Sequence, residues 1–147
     1  MRNAALAILL VLTALISDPL AAQQFESFGS YEVHYSAINT SQLQPRVARA
    51  YGVQRASNRA LLNLAVLKSA YDDQDEPSTA QVEAEIVNLT GQRRRIEMTE
   101  IRDQGAIYYI GTFRITNEER ITFRVSVQPP NRVTPYEFTF QQQFYVF

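Results

Sequence analysis

His34 is the chain's one histidine, and it follows Glu32 by two residues. On a strand both side chains share a face, where an imidazole and a carboxylate could relay a proton or supply two metal ligands. Transition-metal sites need three or four ligands, and no serine lies in a Gly-x-Ser-x-Gly turn. We therefore predict that His34 is a hydrogen-bonded surface residue, and we assign no catalytic residue and no metal ligand.

Arg93, Arg94 and Arg95 form the one basic run of the chain. Such a run could bind an anionic lipid or an acidic partner. If Ile96 and Met98 point inward, Arg95 points outward. Glu83 and Glu85 lie on the same ribbon, so opposite charges pair across the strands. A solvated, paired turn is the favoured interpretation. The candidate residues for partner binding are His34, Arg55, Arg93, Arg94 and Arg95.

Asp73 and Asp75 lie in the acidic segment that ends at Pro77. Their spacing matches the first two alternating ligands of a calcium loop, but no glycine stands at the sixth position, so an EF-hand is excluded. The segment is predicted to be a solvated hairpin tip, and an irregular calcium site remains an alternative.

The 147 residues include 14 Lys+Arg, 15 Asp+Glu and no Cys. Because the charge is balanced, we do not expect the chain to bind nucleic acid, whose backbone attracts proteins with a cationic excess. The lack of cysteine excludes disulfides, thiolate zinc sites and cysteine nucleophiles. No cofactor motif is recognised, and with one imidazole the chain is expected not to be an enzyme.

The first 22 residues have the layout of a secretory signal peptide, with Arg2 before an apolar run from Ala4 to Ile16. This run would rise only about 20 Å as a helix, less than the roughly 30 Å of a bilayer core. We predict export to the periplasm, a single β-sandwich domain over residues 23–147, and no integral membrane span after cleavage.

The exported part alternates apolar and polar residues with period two, which indicates strands. Strands are expected to include 31–37, 59–70, 80–89, 94–102, 106–115, 120–128 and 136–147, with a short helix between Asn39 and Gly52 after the first strand. About seven strands joined by short connections predict an all-β fold with two antiparallel sheets.

The last residues end on Tyr145-Val146-Phe147, a pattern also found at the end of outer-membrane barrels. A small outer-membrane β-barrel is therefore an alternative. Gln141 and Gln143 oppose it, because the lipid-facing register of such a strand stays apolar.

Three stretches resemble a known family: Tyr31 to Ala37, Leu43-Gln44-Pro45 with Ala50 to Val53, and Arg55 leading into Leu61 to Leu64. They are similar to domain of unknown function 4426, a family of small exported proteobacterial proteins. The resemblance implies a periplasmic, immunoglobulin-like β domain and carries no established activity.

Together these observations predict a non-enzymatic binding or accessory module that presents a sheet edge or loop end to an envelope protein. The outer-membrane barrel is the first alternative. An unrecognised metal-binding or hydrolytic protein is the second.

Overall fold

Strands form where apolar and polar residues alternate, because alternation gives a strand one face to bury. In the strand Glu119–Gln128, Ile121, Phe123, Val125 and Val127 are buried, and the residues between them point to the other face. The structure, a computed structural model, describes residues 24–147.

Within these residues the chain forms ten strands and two short helical elements. The strands are β1 (Gln24–Phe28), β2 (Tyr31–Asn39), β3 (Arg59–Ser69), β4 (Asp75–Pro77), β5 (Gln81–Val87), β6 (Arg93–Ile96), β7 (Thr99–Asp103), β8 (Ala106–Arg114), β9 (Glu119–Gln128) and β10 (Tyr136–Phe144). The helical elements are a 3-10 turn (Thr40–Gln42) and α1 (Pro45–Ala50). The predicted all-β class with a short helix is confirmed, and the predicted number of seven strands is wrong.

All strand pairs are antiparallel, and they form two sheets. The first sheet has the order β1-β2-β3-β8-β7, with β4 paired to the end of β3. The second sheet has the order β10-β9-β5-β6. The predicted pair of antiparallel sheets is confirmed, while the immunoglobulin-like arrangement stays a prediction.

The core lies between the two sheets and is rich in aromatic rings. Phe123 of β9 stacks on Phe140 of β10 at 4.4 Å between ring centroids, and Phe113 of β8 meets Phe123 edge-on at 5.4 Å. Leu62 and Leu64 of β3 are completely buried on the same side of the first sheet. These contacts join the sheets without any cysteine.

The helical segment between β2 and β3 covers part of the outer face of the first sheet. Pro45 is the first residue of α1, as predicted, and Gly52 follows the helix with a φ of +68°. Tyr51 Oη donates a hydrogen bond of 3.1 Å to Asp103 of β7, so the segment reaches the far edge of the sheet. The helix follows the second strand, because β1 precedes the strand that was predicted to be first.

Three parts of the fold differ from the sequence prediction. β1 lies where no strand was expected, and β4 lies within the predicted acidic loop. The predicted strand 94–102 is two strands, β6 and β7, which belong to different sheets. The connection between them crosses β8 at Gly111, where a Cβ would lie only 2.5 Å from Ile96 Cγ2. A glycine therefore permits the chain to change sheets.

The predicted signal peptide, residues 1–22, lies outside the described residues. Among residues 24–147, no helix has the length and apolar character needed to cross a membrane.

Candidate functional site

His34 and Glu32 lie on the outer face of β2 and contact each other. His34 Nε2 is 3.0 Å from Glu32 Oε2, and the imidazole stacks on Phe25 of β1 with 5.2 Å between ring centroids. The His34 side chain is 23% exposed. Within residues 24–147, no three His, Cys, Asp or Glu side chains are grouped as a metal site would require. The structure thus shows His34 half-buried and hydrogen-bonded to Glu32.

The arginine run lies on the edge strand β6 and is largely paired. Arg95 NH2 is 3.3 Å from Glu83 Oε1, and Arg93 Nε is 3.6 Å from Glu85 Oε1. The predicted pairing with Glu83 and Glu85 is confirmed.

Arg94 points to the opposite side of β6 from its two neighbours. Its NH2 donates a hydrogen bond of 3.0 Å to the carbonyl oxygen of Arg114 and is 3.9 Å from Glu119 Oε1. The three arginines therefore do not form one continuous cationic surface.

Arg55 is separate from both groups. Its NH2 donates a hydrogen bond of 2.8 Å to the carbonyl oxygen of Ser41, next to the 3-10 turn. The structure does not bring His34, Arg55 and the run Arg93–Arg95 together into one site.

The edge strands of the two sheets differ in length and in the number of charged side chains. β4, β6 and β7 are three to five residues long and carry several charges, and β1 has five residues with one carboxylate. Short strands and charges protect sheet edges from pairing with other chains. β10 has nine residues and one charged side chain, Glu137, so it lacks this protection.

The outward edge of β10 is open along its length. β10 pairs with β9 on one side, and in residues 24–147 no other backbone hydrogen bond reaches residues 136–144. An extended segment of another chain could therefore form a new row of backbone hydrogen bonds here.

Half-buried aromatic rings border this open edge. Phe28 of β1 stacks on Tyr136 at 4.7 Å, and Tyr35 of β2 stacks on Phe140 at 4.3 Å and contacts Phe138 at 5.1 Å. We call these five rings, which join β1 and β2 to β10, the aromatic seam. The seam offers apolar surface to the inward side chains of an added strand.

Glu26 supplies a charge beside the aromatic seam. It pairs in register with buried Val33, so its side chain is on the face of β1 that looks toward the second sheet. Glu26 is half-buried and forms no ion pair within the described chain. Burial raises the pKa of the Tyr35 hydroxyl above 10.0, and the nearby Glu26 carboxylate raises this pKa further. The seam is thus apolar with one carboxylate.

The sequence reasoning did not find this edge. The available signal was the composition of Tyr136–Phe144, a long alternating strand without Lys or Arg. The prediction of a sheet edge named no strand, because strand order cannot be read from alternation alone.

Three solved structures are similar to this chain. A crystal structure of a DUF4426 family protein from Pseudomonas aeruginosa PAO1 is 28% identical, covers 85% of this chain and 96% of its own, and superposes with a TM-score of 0.74. FetP from uropathogenic Escherichia coli strain F11 shares the fold at 10% identity, with a TM-score of 0.62 and coverage of 85% and 95%. A copper-bound variant of FetP has 11% identity, a TM-score of 0.59 and coverage of 86% and 97%.

No curated protein matches the chain. The sequence profile of the domain of unknown function DUF4426 matches residues 25–146, which is most of the chain. This chain therefore belongs to the DUF4426 family.

Proposed function

We propose that this protein is a non-enzymatic binding module of the bacterial periplasm, and that β10 receives an extended segment of an envelope protein by strand addition. The observation that carries the proposal is the open edge of β10, which is nine residues long and has one charged side chain. Main-chain hydrogen bonds supply affinity in this mode, and alternate side chains supply specificity.

The seam suggests the chemistry of the partner segment. The inward side chains of the partner segment would contact the half-buried rings of Tyr35, Phe138 and Phe140. Such contacts favour aliphatic or aromatic residues in the partner. A basic residue among them would pair with Glu26, whose half-buried position makes a charge pair stronger than one in bulk water. The proposed ligand is an extended segment with alternating apolar residues and one Lys or Arg on the same face.

The periplasmic location rests on the predicted signal peptide and on the fold shared with FetP, which was expressed recombinantly in the periplasm of Escherichia coli. We do not extend the copper of the FetP variant to this chain. In residues 24–147 no three His, Cys, Asp or Glu side chains are grouped.

Synthetic nonapeptides of alternating Val and Ser test the proposal, with the central Val kept or replaced by Lys or by Glu. We expect the Lys peptide to bind most tightly and to slow hydrogen exchange of the backbone amides of Tyr136–Phe144. Absence of binding by all three peptides, or slowed exchange at β7 in place of β10, would overturn the proposal.

A matched pair of variants tests the role of the carboxylate. Glu26→Gln is expected to remove the preference for the Lys peptide over the Glu peptide, while binding of the Val peptide persists. Glu97→Gln is the control, because Glu97 is exposed and remote from β10 in the described fold. If Glu26→Gln leaves the preference intact, the proposed basic residue of the ligand is wrong.

A further inference from the structure

A long part of the chain is free of acidic residues. Between Glu32 and Asp72 there is no Asp or Glu, and the same stretch contains Arg46, Arg49, Arg55, Arg59 and Lys68. It includes the helical segment that lies over the outer face of the first sheet. A nearly neutral protein thus has an uneven distribution of charge.

Five arginines lie on the outer side of the first sheet, and we call them the arginine face: Arg46 and Arg49 on α1, Arg55 in the following loop, Arg59 on β3 and Arg114 on β8. Arg59 pairs in register with Arg114. Both alternate with buried inward residues, so both point to the outer face. Like charges directly opposite each other on neighbouring strands are unfavourable unless an anion compensates them.

The positive charges of the arginine face are not balanced by carboxylates within the described chain. None of its five members forms an ion pair within residues 24–147. Arg46, Arg49, Arg55 and Arg114 are exposed, and Arg59 is half-buried. Their charges are therefore available to an external anion, unlike those of Arg93 and Arg95.

Two exposed aromatic residues lie beside the arginine face. Asn39 Nδ2 donates a hydrogen bond of 2.7 Å to the carbonyl oxygen of Tyr145, which holds the segment after β10 against the end of β2. The Tyr145 and Phe147 rings are 6.4 Å apart, and these residues are 45% and 86% exposed. Ser41, two residues beyond Asn39, accepts the hydrogen bond from Arg55.

A group of acidic residues lies at the end of β3 opposite Arg59. The loop after β3 contains Asp72 and Asp73, and Asp75 begins β4. Asp103 lies beside the helical segment, where its carboxylate accepts the hydrogen bond from Tyr51 Oη. Near the arginine face, Glu118 lies in the turn between β8 and β9, and Glu119 begins β9. The Glu119 carboxylate is paired within the chain, because its Oε1 is 3.9 Å from Arg94 NH2 and its Oε2 accepts a hydrogen bond of 2.9 Å from the Thr116 N–H.

We infer that the arginine face, together with Tyr145 and Phe147, binds the surface of a bilayer that contains anionic phospholipid. Dispersed arginines match a surface of phosphate headgroups, and each basic residue adds to such binding. Exposed aromatic rings beside them match the interfacial region of a bilayer, where such side chains are favourable. An acidic polypeptide would need the arginines and would not need the exposed rings.

Vesicle flotation tests this inference with vesicles of phosphatidylglycerol and phosphatidylethanolamine, compared with vesicles of phosphatidylcholine alone. We expect the protein to bind the anionic vesicles only. This binding should weaken as the salt concentration in the assay is raised from about 50 to about 500 mM. The double variant Arg46→Gln, Arg49→Gln should bind about 25-fold more weakly, at roughly five-fold for each arginine. Phe147→Ser should weaken the binding that remains at high salt.

The double variant Arg93→Gln, Arg95→Gln is the matched control, since it removes the same charge from residues that are already paired. It should bind the anionic vesicles nearly as well as the unmodified protein. Equal loss in the two double variants would overturn the inference, because net charge alone would then explain binding. Binding to soluble polyglutamate with none to vesicles would also overturn it and identify an acidic polypeptide as the ligand.

Discussion

Gln142 of β10 donates a hydrogen bond of 2.8 Å from its side-chain Nε2 to the backbone carbonyl oxygen of Ala37 on β2. Gln142 lies on the same face of β10 as Phe140 and Phe144, so a side-chain amide interrupts a row of apolar side chains. With the bond from Asn39 to Tyr145, it ties the second sheet to the end of β2.

We predict that Gln142→Leu lowers the free energy of unfolding by about 1 to 2 kcal/mol, because the Ala37 carbonyl loses its side-chain donor at a part-buried position. Urea denaturation measures the change. Gln141→Leu is the control, since Gln141 is on the exposed outer face and its bond to Thr122 is 3.2 Å long. Gln141→Leu should change stability by less than about 0.5 kcal/mol. Equal effects of the two variants would contradict the role given to Gln142.

Gly111→Ala should destabilise the protein by about 3 kcal/mol or more. The added Cβ would lie 2.5 Å from Ile96 Cγ2 and 2.6 Å from the Glu97 carbonyl oxygen, and backbone cannot move aside as a side chain can. Thermal and urea denaturation measure the loss. Gly52→Ala is the comparison, because it meets open space and is strained only by its φ of +68°, at a cost of about 1 kcal/mol. A Gly111→Ala variant as stable as Gly52→Ala would show that the crossing connection can shift.

The strands that alternation predicted are those whose inward face is buried in the core. β3 and β9 were placed correctly because long runs with completely buried residues, such as Leu62 and Phe123, carry a strong pattern. β1 and β4 were missed because an edge strand has little to bury and its pattern is weak. The change of sheet after Ile96 could not be predicted, since the neighbour that permits it, Gly111, is distant in sequence.

The candidate sites were predictable to a similar extent. The pairing of Arg95 with Glu83 follows from strand register, which is local. The aromatic seam depends on Phe28 and Tyr136 being opposite each other in different sheets, and no local pattern contains that information. The arginine face likewise needed the pairing of Arg59 with Arg114.

Arg95→Gln is expected to change the free energy of unfolding by less than about 0.5 kcal/mol, because Arg95 and Glu83 are both largely exposed and such pairs contribute little. Urea denaturation at low and high salt measures the effect, which should shrink further at high salt. A loss above about 1 kcal/mol would indicate that β6 depends on this pair.

We expect the free energy of unfolding to depend on pH in the alkaline range because of Tyr109. Burial raises the pKa of its hydroxyl above 10.0, although the hydrogen bond from the Ala80 N–H, 2.9 Å long, opposes the rise. The unfolded chain therefore loses this proton at a lower pH than the folded protein, so the stabilisation is complete below about pH 10 and is lost as pH rises through the raised pKa. Urea denaturation from pH 8 to 11 should give constant stability at first and then a decline.

Tyr109→Phe should make this decline shallower. It should also lower the free energy of unfolding by about 1 kcal/mol at pH 8, because the Ala80 N–H loses its acceptor. Tyr71→Phe is the control, since Tyr71 is 98% exposed and its variant should keep the original decline. An unchanged decline in Tyr109→Phe would assign the alkaline transition to another group, with Tyr35 as the next candidate because burial also raises its pKa.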